Sequence, residues 1–247
     1  MQKYIAIVHP RMDDDEISKL IAKDMAGALF QISHQNYPLA SKLIEQVKRL
    51  SHKHHRPISL IQDISGMDDD LDLQFGLKSG ADWVVTDTED HLKLAKGLDK
   101  LAKVIYKGRN LPKSVRVDSV MADSFLDPDA EVIGHKAGQI KHMISPHKDQ
   151  HILDTLLDIS HHAGAKSIAV SDLDLAKSLS WRRPNKKIIF VPKNHDLARR
   201  AAIYWGVHPV YFGTDLSSTL KHAKIAVKGD RVVDAMDAKH VAIHLVP

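Results

Sequence analysis

Along the chain, short apolar runs alternate with longer stretches in which apolar residues recur every three or four positions. The runs predict strands and the recurrences amphipathic helices. Strands fall at Tyr4–Val8, Leu29–Ser33, Ile58–Ile64, Trp83–Thr86, Val104–Tyr106 and Glu131–Ile133. Helices are predicted between them, over Asp13–Ala26, Pro38–Leu50, Asp68–Ser79, His91–Ala102 and Val117–Phe125, the second with Leu39, Leu43, Ile44 and Val47 on one face. Carboxylates at Asp13–Glu16 and Asp68–Asp72 open two of these helices, where they oppose the positive end of the helix dipole. The second acidic run lacks the glycine of a calcium loop, so a helix start is the better reading.

The apolar pattern weakens around Gly138–Asp149, where Ser145-Pro146 interrupts it. The expected division is a first domain over 1–147 and a second over 148–247. Beyond the boundary the alternation resumes: helix His151–Ala163, strand Ser167–Val170, helix Asp174–Trp181, strand Lys187–Val191, helix His195–Trp205 and strand Pro209–Phe212. Two further strands, Arg231–Ala235 and Val241–Val246, close the pattern. Regular strand–helix alternation means parallel strands joined by helical crossovers. The expected class is therefore α/β, a parallel sheet of six strands followed by a small three-layer domain with mixed strands at its end.

Composition narrows the function classes. With 43% hydrophobic and 27% charged residues among 247, the chain can bury a sizeable core. No apolar stretch reaches the ~18 residues of a membrane span, and the run at Tyr4–Val8 is too short for a signal-peptide core. The absence of cysteine excludes disulfides, thiol catalysis and cysteine-ligated zinc. A cytoplasmic protein is expected. Lys and Arg number 35 against 31 Asp and Glu, a net charge of only +4, and they are scattered, while aromatics make up 5%. Nucleic acid is therefore not an expected partner, since its binders concentrate charge and offer stacking platforms. The 17 histidines run from His9 to His244. Their clusters, His52–His55 at a helix end and His147 with His151, do not supply the three or four convergent ligands of a zinc site.

The second half carries the most specific local sequence. Ser180-Trp-Arg-Arg-Pro-Asn-Lys-Lys-Ile-Ile-Phe-Val-Pro-Lys-Asn runs on through Ala198-Arg199 to Tyr204-Trp-Gly-Val-His-Pro-Val. It resembles the C-terminal domain of the pyruvate kinase family, in which a serine followed by Arg-Pro leads into a strand, a helix and a Gly-Val-x-Pro turn. Collinear segments upstream are similar to the same family: Ala28-Leu-Phe-Gln-Ile-Ser-His, Gln62-Asp-Ile-Ser-Gly66, Phe75-Gly-Leu-Lys-Ser-Gly-Ala-Asp-Trp-Val-Val, and Val117–Ile133. The resemblance implies that the first domain is a shortened (β/α) barrel with its site at the carboxyl ends of the strands. It also implies two losses. The lid domain has no room between Gly66 and Asp68, and two barrel units are missing, with the family's catalytic lysine and the acidic pair that holds its divalent metal.

On the same resemblance the family's phosphate-binding arginine falls at Leu29, an asparagine at Gln31 and a threonine at Gly108. Ser33, His34 and Asp63 survive, residues of the family's monovalent-cation site and its surroundings. Potassium at Ser33 and Asp63 is the one cofactor this implies, with magnesium only if phosphoryl transfer persists. The family's effector-phosphate loop falls at Val170–Leu175, where Asp172 and Asp174 are more apt as helix caps than as partners of an anion.

Arg11, Ser33, His34, Asp63, Lys107 and Arg109 all follow predicted strands and would share one mouth in a parallel sheet. Asp87, His135 and Lys136 also follow strands. The cations could meet a small anionic ligand there; against that, loops are polar anyway. The expected function is a degenerate pyruvate-kinase-like protein that has lost phosphoryl transfer and acts as a binding or regulatory module. The alternative is a minimal phosphotransferase acting on phosphoenolpyruvate and ADP. Surface uncovered by the missing barrel units favours a homo-oligomer, or a complex with a full-length pyruvate kinase. Trp181, Tyr204 and Trp205 are the aromatic candidates for a subunit surface in the second domain.

Overall fold

The computed structural model describes residues 3–33, 36–67, 69–99, 103–107, 119–121, 133–136, 141–142, 150–211, 216–222, 225–237 and 240–247. The chain divides into two compact units, one of Gln2–His54 with Ile58–Met143, the other of Ile144–Pro247 with His55–Pro57. It is an α/β protein, and no helix among the described residues is long and apolar enough to cross a membrane.

The first unit runs β1 (Tyr4–Ile7), α1 (Asp14–Ala22), β2 (Met25–Phe30), α2 (Tyr37–Lys53), β3 (Ser59–Asp63), α3 (Asp70–Lys78), β4 (Trp83–Thr86), α4 (Glu89–Leu98), β5 (Lys103–Lys107), β6 (Ser119–Met121), β7 (Ile133–Lys136) and β8 (Lys141–His142). Local chemistry fixes the helix starts. Asp13 accepts the Glu16 N–H at 2.9 Å while Glu16 accepts the Asp13 N–H at 2.9 Å, a reciprocal capping box. Asp69 caps α3 and Thr88 caps α4, so the acidic run does open a helix. Helix α2 carries Pro38 in its first turn and buries Ala40, Leu43, Ile44, Val47 and Leu50 on one stripe. Leu39, expected on that stripe, is instead exposed in the first turn.

Several elements of the first unit differ from the sequence expectation. Strand β2 starts at Met25, four residues before the expected Leu29, because Asp24 takes a left-handed φ of 68° and ends α1 early. Residues 119–121, expected inside a helix, pair with β5 as β6. The strand near 133 is not a sixth parallel strand: β7 runs antiparallel to β1, and β8 antiparallel to β6. The expected six strands are therefore eight among the described residues.

Strands β1 to β6 lie side by side in chain order and pair in parallel. Right-handed crossovers between sequential strands place every connecting helix on one face. Ala6, Val8, Ala28, Phe30 and Leu60 form one core with α1 and α2, and Val84 and Val104 another with α3 and α4. The alternate residues Ile5, Leu29, Ile61, Trp83, Val85 and Ile105 face away from the helices, yet all are buried. A sheet with helices on one side buries its other face by curling over itself. Chain length requires the same. Flat, the eight strands would hold β7 and β8 ~34 Å apart at ~4.8 Å per strand. Lys136 and Lys141 are five residues apart, a reach of at most ~18 Å. One segment, Ile133 to His142, thus serves both edges of a strongly curled sheet.

The second unit contains α5 (Gln150–His162), β9 (Ser167–Val170), α6 (Leu173–Arg182), β10 (Lys187–Phe190), α7 (His195–Ala201), β11 (Val207–Pro209), α8 (Leu216–His222), β12 (Arg231–Asp237) and β13 (His240–Leu245). Its strand order is β11-β10-β9-β12-β13, with the first four parallel and β13 antiparallel to β12. Ala169, Ile189, Val191 and Val232 pack with Leu216 and Leu220 of α8. Helices α5 and α6 contact the strands from the opposite side, where Ile168, Val170, Ile188 and Phe190 are buried. Helix α7 ends at Ala201, short of the expected Trp205, and α8 has no counterpart in the expected pattern. Tyr204 is buried, so it cannot belong to a subunit surface, whereas Trp181 is exposed. Trp205 lies 5.8 Å from the Arg183 guanidinium.

Candidate functional site

The carboxyl ends of parallel strands are where loops can converge around an open mouth, and the first sheet aims six strand ends the same way. Side-chain alternation decides which residues enter. Gln62 turns to the helix side, where its Nε2 donates to the Asp72 carbonyl at 2.7 Å. Asp63, the next residue, therefore turns inward with Ile61, and Lys107 turns inward with Ile105. Ile7, also inward, is 49% exposed although Ile5 below it is buried, which marks where the interior opens.

The ends of β3, β4 and β5 are tied into one polar cluster. Asp63, only 9% exposed, accepts two hydrogen bonds on Oδ1, from the Ser65 N–H at 2.9 Å and the Ser65 hydroxyl at 2.6 Å. Lys107 Nζ donates to Ser65 Oγ at 3.3 Å. The ammonium thus stands one hydroxyl away from the carboxylate. Gly66 completes the turn at φ 72°, a conformation that favours glycine. Its N–H donates to both carboxylate oxygens of Asp87 after β4, at 3.1 and 3.3 Å. Among the described residues Lys107 makes this single side-chain hydrogen bond, and an ammonium has three donors.

Of the other expected site residues, Ser33 and Arg11 make none of this cluster's hydrogen bonds. Ser33, after β2, accepts from Asn36 Nδ2 at 3.2 Å, and its carbonyl accepts the Asn36 N–H at 2.8 Å. That turn leads into α2. Arg11 is exposed in the loop after β1, where its backbone N–H donates to His9 Nδ1 at 3.3 Å. His34 and Arg109 lie outside the described residues. His135 and Lys136 do not follow a strand end. They sit within β7, opposite Ile5 and Tyr4 at the amino end of β1.

Ser65 was not among the expected residues. The only sequence signal for it is its place between Asp63 and Gly66 in a turn after a strand, a pattern shared by many turns that bind nothing. Behind the mouth, the Tyr37 hydroxyl donates to Asp72 Oδ1 at 2.8 Å and its ring stacks on Phe75 at 4.0 Å. Partial burial first, then the Asp72 carboxylate, pushes the Tyr37 phenol up to about 12. This pair locks α2 to α3 and leaves the strand ends free to carry the loops.

In the second sheet the strand order reverses between β9 and β12, the place where open α/β sheets hold ligands. Here Ser171 Oγ donates to the Met236 carbonyl at 2.5 Å, bridging the two strand ends. Asp172 caps α6, accepting the Leu175 N–H at 2.7 Å, and Asp174 lies in the first turn. The loop at 170–175 is therefore a capped helix start carrying two carboxylates. No group of three or more metal-ligating His, Asp or Glu side chains occurs among the described residues. No known family model matches the chain, and neither does any curated protein.

Proposed function

We propose that the first unit is a shortened pyruvate-kinase-type barrel that binds a small anion at the carboxyl ends of its strands and has lost phosphoryl transfer. The observation that carries this reading is Lys107, an inward-facing ammonium that among the described residues is held by one side-chain hydrogen bond, to Ser65 in the mouth. Its remaining donors suit a carboxylate or phosphate oxygen. The sequential parallel order and the self-buried inner face support the barrel part of the reading.

Phosphoryl transfer needs several cations to gather around the transferred oxygens. Leu29 instead brings an apolar side chain to the interior. Asp63 Oδ1 already accepts two hydrogen bonds, Ser33 is engaged with Asn36, and an ammonium stands beside the carboxylate. That donor set does not suit a potassium ion, and no step is derived through one. The module fits a cytoplasmic, binding or regulatory role.

Titration calorimetry with phosphoenolpyruvate, pyruvate and inorganic phosphate tests the proposal. Binding of at least one of them, weakened tenfold or more by Lys107→Met, is expected. A coupled assay for pyruvate formation from phosphoenolpyruvate and ADP, with magnesium and potassium, is expected to show no turnover. Turnover that vanishes in Asp63→Ala would assign the minimal phosphotransferase instead.

A further inference from the structure

Three cations that are distant in sequence stand side by side at the amino end of the second sheet. Ser167 of β9 pairs with Lys187 of β10 and with Val232 of β12, so one residue earlier Lys186, Lys166 and Arg231 form a row across three neighbouring strands. Backbone bonds hold the row together: the Lys187 N–H donates to the Lys166 carbonyl at 3.2 Å, and the Lys166 N–H to the Arg231 carbonyl at 2.9 Å. Side-chain alternation turns all three toward α5 and α6, as it does Ile168 and Ile188. There Lys186 Nζ donates to the Ala165 carbonyl at 2.7 Å and Arg231 Nη1 to the Ala163 carbonyl at 2.9 Å, both just past the end of α5. Lys166 is exposed and has no side-chain hydrogen bond or ion pair among the described residues. No Asp or Glu stands in the row; Asp230, next to Arg231, accepts the Val227 N–H at 3.0 Å. Like charges placed side by side on a sheet are unfavourable, and the carbonyls beyond α5 account for only two of the three. Two indoles border the row. Ile188 pairs with Val207 of β11, which sets Trp205 level with Lys186, and the Arg183 guanidinium lies 5.8 Å from the Trp205 ring. Trp181, in the last turn of α6, is 53% exposed.

We infer that this row binds single-stranded nucleic acid, with backbone phosphates on Lys186, Lys166 and Arg231 and bases stacked at Trp181 and Trp205. The inference does not rest on the proposed ligand site. Lys166 lies 20 residues before Lys186 and 65 before Arg231, so no stripe of charge shows along the chain. Parallel pairing creates the stripe by bringing three strand starts level. At ~4.8 Å per strand, the line from Trp205 to Arg231 spans ~14 Å, an elongated track and not a point site. An ammonium has three donors and a guanidinium five, so Lys186 and Arg231 can hold their carbonyls and still meet a phosphate oxygen. The indoles select among polyanions. An acidic peptide would satisfy the cations and leave Trp181 in water, whereas a base has a flat face to lay on it. A duplex keeps its bases stacked on each other, and only an unpaired strand can splay one onto an indole. Arg183, over Trp205, adds a second planar cation beside the same ring.

Fluorescence anisotropy of a dye-labelled RNA of mixed sequence, titrated with the full chain, tests the inference. Micromolar binding is expected, falling with salt at a log–log slope of about −2, because each phosphate neutralised on a single strand contributes about −0.7. Lys166→Glu should weaken binding about tenfold and make that slope shallower, and Trp181→Ala should weaken it about fivefold through lost stacking. Both positions are exposed, so both variants should keep the wild-type circular dichroism spectrum. Lys193→Glu makes the same charge change at an exposed position beyond the carboxyl end of β10 and should shift affinity by less than about twofold, since the contact is local. Absence of binding at low salt overturns the inference. So does an equal loss in Lys193→Glu, which would assign the binding to diffuse charge. Polyglutamate competing as well as unlabelled RNA, with Trp181→Ala silent, overturns it in favour of an acidic protein segment. Sedimentation with phosphatidylserine vesicles that depends on Lys166, without RNA binding, overturns it in favour of a membrane surface.

Discussion

The two sheets of this chain are built from the same unit, a strand followed by a helix, and they end as different objects. In the first, each strand is laid beside the one before it, so all helices fall on one face and the other face buries itself. In the second, the chain steps from β9 to β10 to β11, then returns past β9 to place β12, which puts α8 on the face opposite α5 and α6. One reversal in strand order decides whether a sheet is covered by helices on both sides or by its own far strands. It also decides where an opening can form. The first sheet opens at its inner face, around Asp63 and Lys107. The second has its crevice at the reversal, and there the Ser171 hydrogen bond bridges it.

The largest expected effect tests whether the inner face of the first sheet is a true core. Trp83 and Phe190 are both fully buried, one in each sheet. Trp83→Ala and Phe190→Ala should each cost ~3–5 kcal/mol in urea denaturation. A loss below ~1 kcal/mol for Trp83→Ala would mean the first sheet is open, and the contrast between the sheets would fail. Next comes the fit between sheet and helix layer. A Cβ on Gly76 would collide with the side chain of buried Gln62, so Gly76→Ala should destabilise by ~1–3 kcal/mol. Gly97, also helical but with open space around it, serves as the control; Gly97→Ala should be stabilising, by up to ~1 kcal/mol.

At the reversal in the second sheet, Ser171→Ala should cost ~1 kcal/mol and raise amide exchange at Ala235–Asp237. Unchanged exchange there would show that the hydrogen bond does not hold the crevice. The smallest effect is one of pH. Because the Tyr37 phenol lies at about 12 when folded and near 10 when unfolded, the folded state keeps its proton longer. The contribution is whole below pH 10 and fades as pH rises to 12. Tyr37→Phe should flatten that part of the stability profile and remove a late-ionising tyrosine from the phenolate absorbance titration of the wild type.

The second unit was the more legible of the two. Ser167–Val170 was placed to the residue and Lys187–Phe190 within one, because each is an apolar run of three residues behind a single polar one. In the first unit, β2 was displaced because Met25–Ala28 is a methionine and three small residues with no period, and the signal that ends α1 is the backbone of Asp24. Strand β6 was taken for a helix since Val117, Val120 and Met121 fall at helical spacing, and three residues are too few to show a period of two. The direction of β7 has no local signature at all; it is set by the distant strand it meets. For the site, strand ends located Asp63 and Lys107, but nothing in sequence spacing could say that Ser65 joins them while Ser33 turns away toward Asn36.

The segment that serves both edges of the first sheet gives the unit a particular order of assembly. Ala6 finds its antiparallel partner only at Ile133, and Val120 only at Lys141. During synthesis, α1 to α4 can dock on their strands as each emerges, since those contacts are local. The inner row from Ile5 to Ile105 cannot be sealed until the ribosome has released residue 142. Until then a nascent chain carries an apolar concave surface and two bare edges, the state most open to chaperones and to misassembly. Closure joins the first strand of the unit to its penultimate one, β7, and loop-closure entropy makes it the slow step of folding.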